Sequence, residues 1–242
     1  MGELSAKLTE GEHYTTTQER TQTMPNLTGI RAFIFDMDGT VLDTEKYYLA
    51  CWPKALAHFG YEVSREDILT LRSLGRPFAP ERLKEITGDP NCDYWAVRDY
   101  RRGLVEECIE KNGISLKPGA LELFAELKKR GISRAIATAT DEERTARFLE
   151  KCGLAGAFDK IICASMVERG KPAPDIYELA VRELGLTPEE CVAVEDAPNG
   201  IKSAYGAGLK VIMVPDASEP DEELAKLLFA RVDTLGDICR LL

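Results

Sequence analysis

The sequence has little histidine and no paired cysteines. Only His13 and His58 occur in 242 residues, so imidazole is almost excluded as a catalytic acid or base. The seven cysteines are scattered, and none forms a Cys-x-x-Cys pair. This distribution argues against a zinc site or a disulfide framework and favours a reducing, cytoplasmic environment. Any acid–base catalysis must therefore come from carboxylates.

Long apolar runs and excess positive charge are also missing. No stretch approaches the roughly 20 apolar residues that a membrane-spanning helix needs. The net charge of -10 disfavours binding to nucleic acid or to an anionic membrane. Residues 1–28 are polar and lack the apolar centre of a signal peptide, so we expect a flexible extension there. We therefore expect a protein that binds a small molecule and is a monomer or weak dimer.

Two aspartates follow a short apolar run near the start of the chain. The β-favouring run Ala32–Phe35 predicts a strand that is buried on both faces. Asp36 and Asp38 come directly after it, followed by Gly39-Thr40. An Asp-Gly turn is the simpler interpretation of such a sequence. Two carboxylates this close repel each other, however, and a divalent cation relieves that repulsion, so we favour a ligand site.

The rest of the chain divides into two patterns. Residues 45–115 show helical spacing of apolar residues without a convincing strand, which predicts an inserted all-α cap domain. After Pro118, strands and helices alternate, which predicts a doubly wound parallel sheet. Residues 29–44 and 116–242 would form this α/β core domain.

Other predicted strands and loops also end in polar residues. Thr138 ends one strand, Lys171 lies in a loop after the next, and Glu195 and Asp196 end another. Parallel strands bring their carboxyl ends to one edge of the sheet, so these side chains should meet Asp36 there.

Three segments resemble the signature motifs of the haloacid dehalogenase-like (HAD) phosphohydrolases. They are Asp36–Thr40, Lys171–Asp175 and Val194–Gly200, and the resemblance spans about residues 30–215. The helical insert and the Glu195-Asp196 pair are similar to the branch of phosphoglycolate phosphatases, β-phosphoglucomutases and pseudouridine monophosphatases. The resemblance implies a Rossmann-like HAD core with an inserted all-α cap domain.

The resemblance assigns the central chemistry to the carboxylates. It implies that Asp36 is the nucleophile and forms an aspartyl phosphate. Asp38 would be the general acid and then the general base. Mg²⁺ would be held by the Asp36 and Asp196 carboxylates and the Asp38 backbone carbonyl. Glu195 would be a further ligand or act through a water.

The resemblance also implies a set of phosphate contacts. The Thr138 hydroxyl and the backbone amides of Met37, Asp38 and Ala139 would hold phosphate oxygens. Lys171 would neutralise charge between the nucleophile and the phosphoryl group.

Three further residues are candidates for substrate binding. Arg76 follows Gly75 at a place where relatives often contact substrate, although a solvent-facing arginine is an equal alternative. Asp141 stands where β-phosphoglucomutases carry a basic residue, so it would repel a second phosphate and accept a sugar hydroxyl. Thr40 replaces a valine common in those mutases.

The function expected from these residues is Mg²⁺-dependent hydrolysis of a small phosphomonoester, either a sugar or a nucleoside phosphate. A phosphomutase of the β-phosphoglucomutase type is the main alternative, and a non-catalytic binding protein is a third. Asp38 disfavours dehalogenase and phosphonate-cleaving activities, which lack the second aspartate.

The roles of several other side chains stay open. Each has an ordinary structural explanation, namely helix core, helix capping or turn formation, beside a functional one. These residues are Asp43, Trp52, Lys54, Tyr94, Trp95, Tyr100 and Asn199.

Overall fold

A parallel sheet forms the centre of the molecule in the computed structural model, which describes residues 27–242. The extension expected at residues 1–28 therefore lies almost entirely outside the described residues. The strands are β1 (Ala32–Phe35), β2 (Ser133–Thr138), β3 (Lys160–Cys163), β4 (Cys191–Glu195), β5 (Lys210–Met213) and β6 (Ala230–Arg231). Their spatial order is β3-β2-β1-β4-β5-β6, and all neighbours are parallel.

Helices cover both faces of this sheet, and a helical block follows β1. The helices are α1 (Glu45–His58), α2 (Arg65–Leu69), α3 (Phe78–Thr87), α4 (Tyr94–Asn112), α5 (Ala120–Lys129), α6 (Glu142–Lys151), α7 (Asp175–Leu184), α8 (Pro198–Gly206) and α9 (Glu222–Ala225). Leu235–Arg240 adds a 3₁₀ segment. No helix in residues 27–242 is long and apolar enough to cross a bilayer. The predicted fold class is confirmed.

Strand β1 separates the two apolar clusters of the core. Its four residues are buried, and their side chains alternate between the faces of the sheet. Phe33 and Phe35 join the cluster that contains Phe124 of α5, whereas Ile34 joins the cluster that contains Tyr177 of α7. A strand packed on both faces has little freedom to shift, so the residues that follow it are held firmly.

Helices α1–α4, which we call the helical insert, form a separate small core. Trp52, Leu56, Leu83 and Val97 belong to its buried apolar cluster. The two chain segments that join the insert to the sheet pair with each other, since the Asp43 amide donates to the Ser115 carbonyl at 2.9 Å. The limits of 45–115 for a cap domain remain a prediction.

Helix α3 begins earlier than the sequence pattern indicates. The prolines at 77 and 80 suggest an interruption and a helix from Glu81 to Thr87, but the helix begins at Phe78. Pro80 lies in its first turn, where the missing N–H has no intrahelical partner to lose.

Candidate active site

Several buried polar side chains converge at the carboxyl end of the sheet. Asp36 follows β1, Thr138 ends β2, and Glu195 and Asp196 lie at the end of β4. Lys171 reaches them from the loop between β3 and α7. All five are at most 2% exposed. The strand order reverses between β1 and β4, which is where open α/β sheets bind ligands. The predicted convergence of these residues is therefore present.

Lys171 connects two of the carboxylates. Its ammonium donates to Asp36 Oδ1 at 2.5 Å and to Glu195 Oε1 at 2.6 Å. A third bond goes to the Ala137 carbonyl at 2.9 Å. Burial opposes the positive charge, but the two carboxylates outweigh it and raise the pKa of Lys171. Lys171 therefore stays protonated and neutralises charge beside Asp36.

Glu195 is held rigidly from three directions. Besides Lys171, the hydroxyl of Tyr177 donates to Glu195 Oε1 at 2.6 Å. The Asp196 amide donates to Oε2 at 3.3 Å. Gly200 packs so closely against this carboxylate that a Cβ there would overlap it. Glu195 thus fixes the position of Lys171 and keeps one oxygen only weakly bonded.

The acidic cluster fits a hard cation. One carboxylate oxygen from each of Asp36, Glu195 and Asp196 lies within 4.8 Å of the others. Asp36 Oδ2 is buried and has no hydrogen-bond partner among the described residues. Burial raises the pKa of Asp36 well above its usual range, although Lys171 opposes this. A divalent cation would compensate these carboxylates, and oxygen ligands of this kind suit Mg²⁺.

Asp38 points its carboxylate toward two hydroxyl groups. Thr44 donates to Oδ1 at 2.6 Å, and Thr140 donates to Oδ2 at 2.8 Å. Unlike Asp36, Asp38 is partly exposed. The next residue, Gly39, has φ near +89°, and a Cβ there would lie 2.6 Å from Asp196 Oδ2. Glycine is therefore needed at position 39 for the loop after β1 to approach Asp196 at the end of β4.

An arginine from the helical insert enters the acidic cluster, and the sequence pattern did not predict it. Arg72 is 3% exposed; it donates to Asp196 Oδ2 and lies 3.3 Å from Glu45 Oε1. Burial raises the pKa of Glu45 to about 8 despite Arg72. Arg72 therefore links the insert directly to a candidate metal ligand.

A cavity lies between the helical insert and the carboxyl ends of β1 and β2. Asp36, Asp38, Thr138 and Ala139 line it from the core. On the insert side, the lining includes Tyr48, Trp52, Leu74, Tyr94, Arg98 and Arg101. The two aspartates thus line a partly open cavity that a small molecule can enter.

Four predicted substrate contacts lie outside the lining of this cavity. Arg76 donates to the Ala164 carbonyl at 3.2 Å near the surface. Asp141 is the N-cap of α6 and accepts from the Arg144 amide at 3.1 Å. Thr40 donates to Asp196 Oδ1 at 2.9 Å. The Met37 side chain is fully buried, and the phosphate contact of its backbone amide stays a prediction. The side chains of Arg76, Asp141 and Thr40 contact neighbouring residues in this structure.

The open residues of the insert divide between cavity and surface. Trp52 and Tyr94 are buried and line the cavity. Trp95 and Tyr100 are 47% and 39% exposed, and Lys54 is exposed as well. Only the first two are therefore placed to contact a ligand.

Asn199 in the first turn of α8 and Asp43 in the loop before α1 connect the insert and the core. The Asn199 amide donates to the Thr70 and Arg72 carbonyls at 3.1 and 2.8 Å, so it joins the insert to α8. Asp43 accepts from Lys46 and, at 3.3 Å, from Ser115. Asp43 is not the cap of α1, because the N-cap of that helix is Thr44.

The family model for haloacid dehalogenase-like hydrolases matches residues 30–208. This match covers most of the chain, including the insert and the converging strand ends. The protein belongs to the haloacid dehalogenase-like hydrolases, and its acidic cluster, Lys171 and cavity define a phosphohydrolase of that family.

The chain is also similar to individual proteins of this family. Protein CbbY of Cereibacter sphaeroides is 35% identical over 206 residues, which cover 81% of this chain and 89% of CbbY. Hexitol phosphatase A of Escherichia coli (strain K12) is 35% identical over 184 residues, with 76% and 82% covered. A crystal structure of mutant CbbY from Rhodobacter sphaeroides with xylulose-(1,5)bisphosphate has a TM-score of 0.72 and 30% identity, with 86% and 96% covered.

Proposed function

We propose that the protein is a Mg²⁺-dependent phosphatase that hydrolyses a small phosphorylated sugar or nucleoside through a phosphorylated Asp36. The observation that carries this proposal is the environment of Asp36. Lys171 holds Oδ1, whereas Oδ2 has no partner among the described residues. Asp36 and Asp38 both line the cavity, so a nucleophile and an acid–base group border the same space.

In the first step, Asp36 Oδ2 attacks phosphorus while the bond from phosphorus to the leaving oxygen breaks. Asp38 donates a proton to that oxygen, and an alcohol is released. Lys171 offsets negative charge at Asp36 as the new phosphorus–oxygen bond forms. Thr138 and the nearby backbone amides would hold the other phosphate oxygens.

In the second step, Asp38 removes a proton from water, which attacks the phosphorus of the aspartyl phosphate. The bond to Asp36 breaks, and inorganic phosphate leaves. The hydroxyls of Thr44 and Thr140 keep the Asp38 carboxylate in place for both proton transfers. One carboxylate thus serves both half-reactions, as expected for a chain with so little histidine.

The Asp36 and Asp196 carboxylates, with the Asp38 carbonyl, would hold Mg²⁺, and the second oxygen of Glu195 is available as a further ligand. When bound, the cation supplies positive charge for phosphate oxygens. Arg72 would then keep its pair with Glu45.

Two observations favour a sugar phosphate. Relatives at 35% identity include a hexitol phosphatase, and the crystallised CbbY mutant binds a sugar bisphosphate. The cavity combines aromatic rings with hydroxyl and charged groups, which suits a polyhydroxylated molecule.

The decisive experiment measures phosphate release from a panel of sugar, hexitol and nucleoside monophosphates with and without Mg²⁺. Wild-type protein should release phosphate only with the cation. Asp36→Asn should abolish turnover and keep its circular dichroism spectrum. Asp43→Asn is the matched control, because this nearby carboxylate lies outside the cavity lining, and it should retain activity.

Wild-type turnover in Asp36→Asn would overturn the covalent mechanism. The phosphomutase alternative is tested with β-glucose 1-phosphate and a trace of the 1,6-bisphosphate. Glucose 6-phosphate formed without free phosphate would replace the phosphatase with a mutase.

A further inference from the structure

The wall of the cavity is rich in arginine. Four arginines line it among the described residues, namely Arg72, Arg98, Arg101 and Arg144. Arg72 is occupied by Asp196 and Glu45. Arg98 lies near the surface, 3.5 Å from Asp99. Arg101 is partly buried and Arg144 is buried, and both are incompletely paired.

Arg101 of α4 has aromatic neighbours in place of a carboxylate. Its guanidinium carbon lies 4.1 Å from the ring centre of Trp52 and 5.3 Å from that of Tyr48. Its Nε is buried without a hydrogen-bond partner in the described part of the chain. Burial lowers the pKa of this guanidinium. A buried N–H donor without a partner is costly, as is a poorly solvated cation, and a bound anion would remove that cost.

Arg144 of α6 faces the same cavity from the core. It is 5% exposed, and its Nη2 has no partner in residues 27–242. Its Nε donates to Glu106 at 2.9 Å, but Arg147 donates to the same carboxylate oxygen at 2.6 Å. Glu106 therefore serves two guanidinium groups, and the next carboxylate near Arg144 is that of Asp38 in the same cavity.

Asp141, which the sequence suggested would repel a second anion, does not do so here. Its carboxylate caps α6 and lies 2.9 Å from Arg102. It is outside the cavity lining. Its charge is therefore neutralised away from the space that a substrate would occupy.

We propose that Arg101 and Arg144 bind a second anionic group of the substrate, a phosphate or a carboxylate, while the reacting phosphate lies at Asp36. This inference rests on the proposed phosphatase function and specifies its substrate class. Arg101 approaches from the insert and Arg144 from the core, so one anion bound by both would also hold the insert closed. Planar guanidinium groups suit both kinds of anion.

The test compares matched substrates with and without the second anion. The pairs are a hexose 1-phosphate and its 1,6-bisphosphate, a pentulose 5-phosphate and its 1,5-bisphosphate, and glycolaldehyde phosphate and phosphoglycolate. Wild-type kcat/KM should be at least tenfold higher for the member of one pair that carries the second anionic group. The first two pairs report a second phosphate, and the third reports a carboxylate.

Arg101→Gln and Arg144→Gln should each reduce that preference at least tenfold. Arg65→Gln on the insert and Arg182→Gln on the core are the matched controls, since these exposed arginines lie outside the cavity lining, and they should retain it. Arg101→Lys and Arg144→Lys keep the charge and should recover part of the preference. Thermal unfolding identifies any glutamine variant that does not fold. For such a position, the substrate preference of the lysine variant tests the proposal.

The outcomes separate this inference from the proposed function. Equal kcat/KM for both members of every pair would overturn the inference and leave the phosphatase intact. If no substrate turns over, calorimetric titration of Asp36→Asn with the same bisphosphates and phosphoglycolate decides. Binding weakened at least tenfold by Arg101→Gln supports the second anion site, and equal or undetectable binding contradicts it.

Discussion

Four buried side chains at the centre of the site are connected by hydrogen bonds and ion pairs. Tyr177 donates to Glu195, Glu195 accepts from Lys171, and Lys171 donates to Asp36. Each charge in this chain of contacts therefore has a partner, and Oδ2 of Asp36 is left without one among the described residues. Removing a middle member leaves its neighbours as uncompensated buried charges.

Lys171→Met should lower both stability and activity. It leaves Asp36 and Glu195 as two neighbouring buried carboxylates, so we expect a loss of about 3–5 kcal/mol in the free energy of unfolding. Turnover should fall by roughly two orders of magnitude or more. Urea unfolding and phosphate release measure the two effects. Lys160→Met, at a largely exposed ion pair with Glu183, should cost less than about 1 kcal/mol.

Gly200→Ala should destabilise the protein by steric overlap within the same site. A Cβ at this position would overlap the Glu195 carboxylate, which Lys171 and Tyr177 hold in place. We expect a loss of about 2 kcal/mol or more, as for other overpacked sites. Gly103→Ala is the comparison, because that helical position has open space. It should gain about 0.5–1 kcal/mol from helix propensity, and equal melting temperatures would contradict the steric argument.

The sequence predicted site residues only where a polar side chain ends or follows the apolar run of a strand. Asp36, Thr138 and Glu195 follow or end apolar runs, so their approach to one edge was predictable. Arg101 and Arg144 lie within ordinary helices, and nothing in their spacing separates a cavity-facing arginine from a surface one. Tyr177 has the same ambiguity, because an apolar helix face explains a tyrosine equally well.

At the scale of elements, the strands and most helices followed from apolar periodicity, but the packing of the insert on the core did not. Two loops meet there through their backbones. The Gly75 amide donates to the Lys171 carbonyl at 2.8 Å, and the Gly170 amide donates to the Arg76 carbonyl at 2.7 Å. Such contacts leave no pattern of side chains, since only the absence of a Cβ permits them.

Gly75→Ala should move the insert away from the core. Its Cβ would lie 2.6 Å from Gly170 Cα, and backbone atoms on both sides cannot yield as a flexible side chain does. We expect KM to rise several-fold and the radius of gyration from solution scattering to increase. A variant with unchanged scattering and KM would show that this contact does not control closure, with Gly103→Ala again as the control.

The whole molecule combines an acidic surface with a site whose charges are poorly solvated. Burial raises the pKa of Glu45 to about 8 and that of Asp196 to about 6, although Arg72 opposes both changes. A carboxyl with a raised folded-state pKa keeps a proton that the unfolded chain has lost. Its contribution to stability therefore decreases as the pH rises through this range.

The metal-free protein should consequently melt at a lower temperature at pH 8 than at pH 5.5 in the presence of a chelator. Mg²⁺ should raise the melting temperature at pH 8, where it binds ionised carboxylates, and have less effect at pH 5.5, where protons compete. Differential scanning calorimetry measures both. Glu45→Gln should reduce the pH slope, and an unchanged slope would show that Glu45 is not its source.

The pairing of Gly75 with Lys171 and of Gly170 with Arg76 also constrains the kinetics of turnover. We expect products to leave the cavity only after these backbone bonds open, because the bonds hold the insert against the core. That opening involves the same atoms whatever alcohol was attached to phosphorus. Release then sets a common upper limit on the rate. Substrates with very different leaving groups should approach similar kcat values, and those values should decrease as solvent viscosity increases.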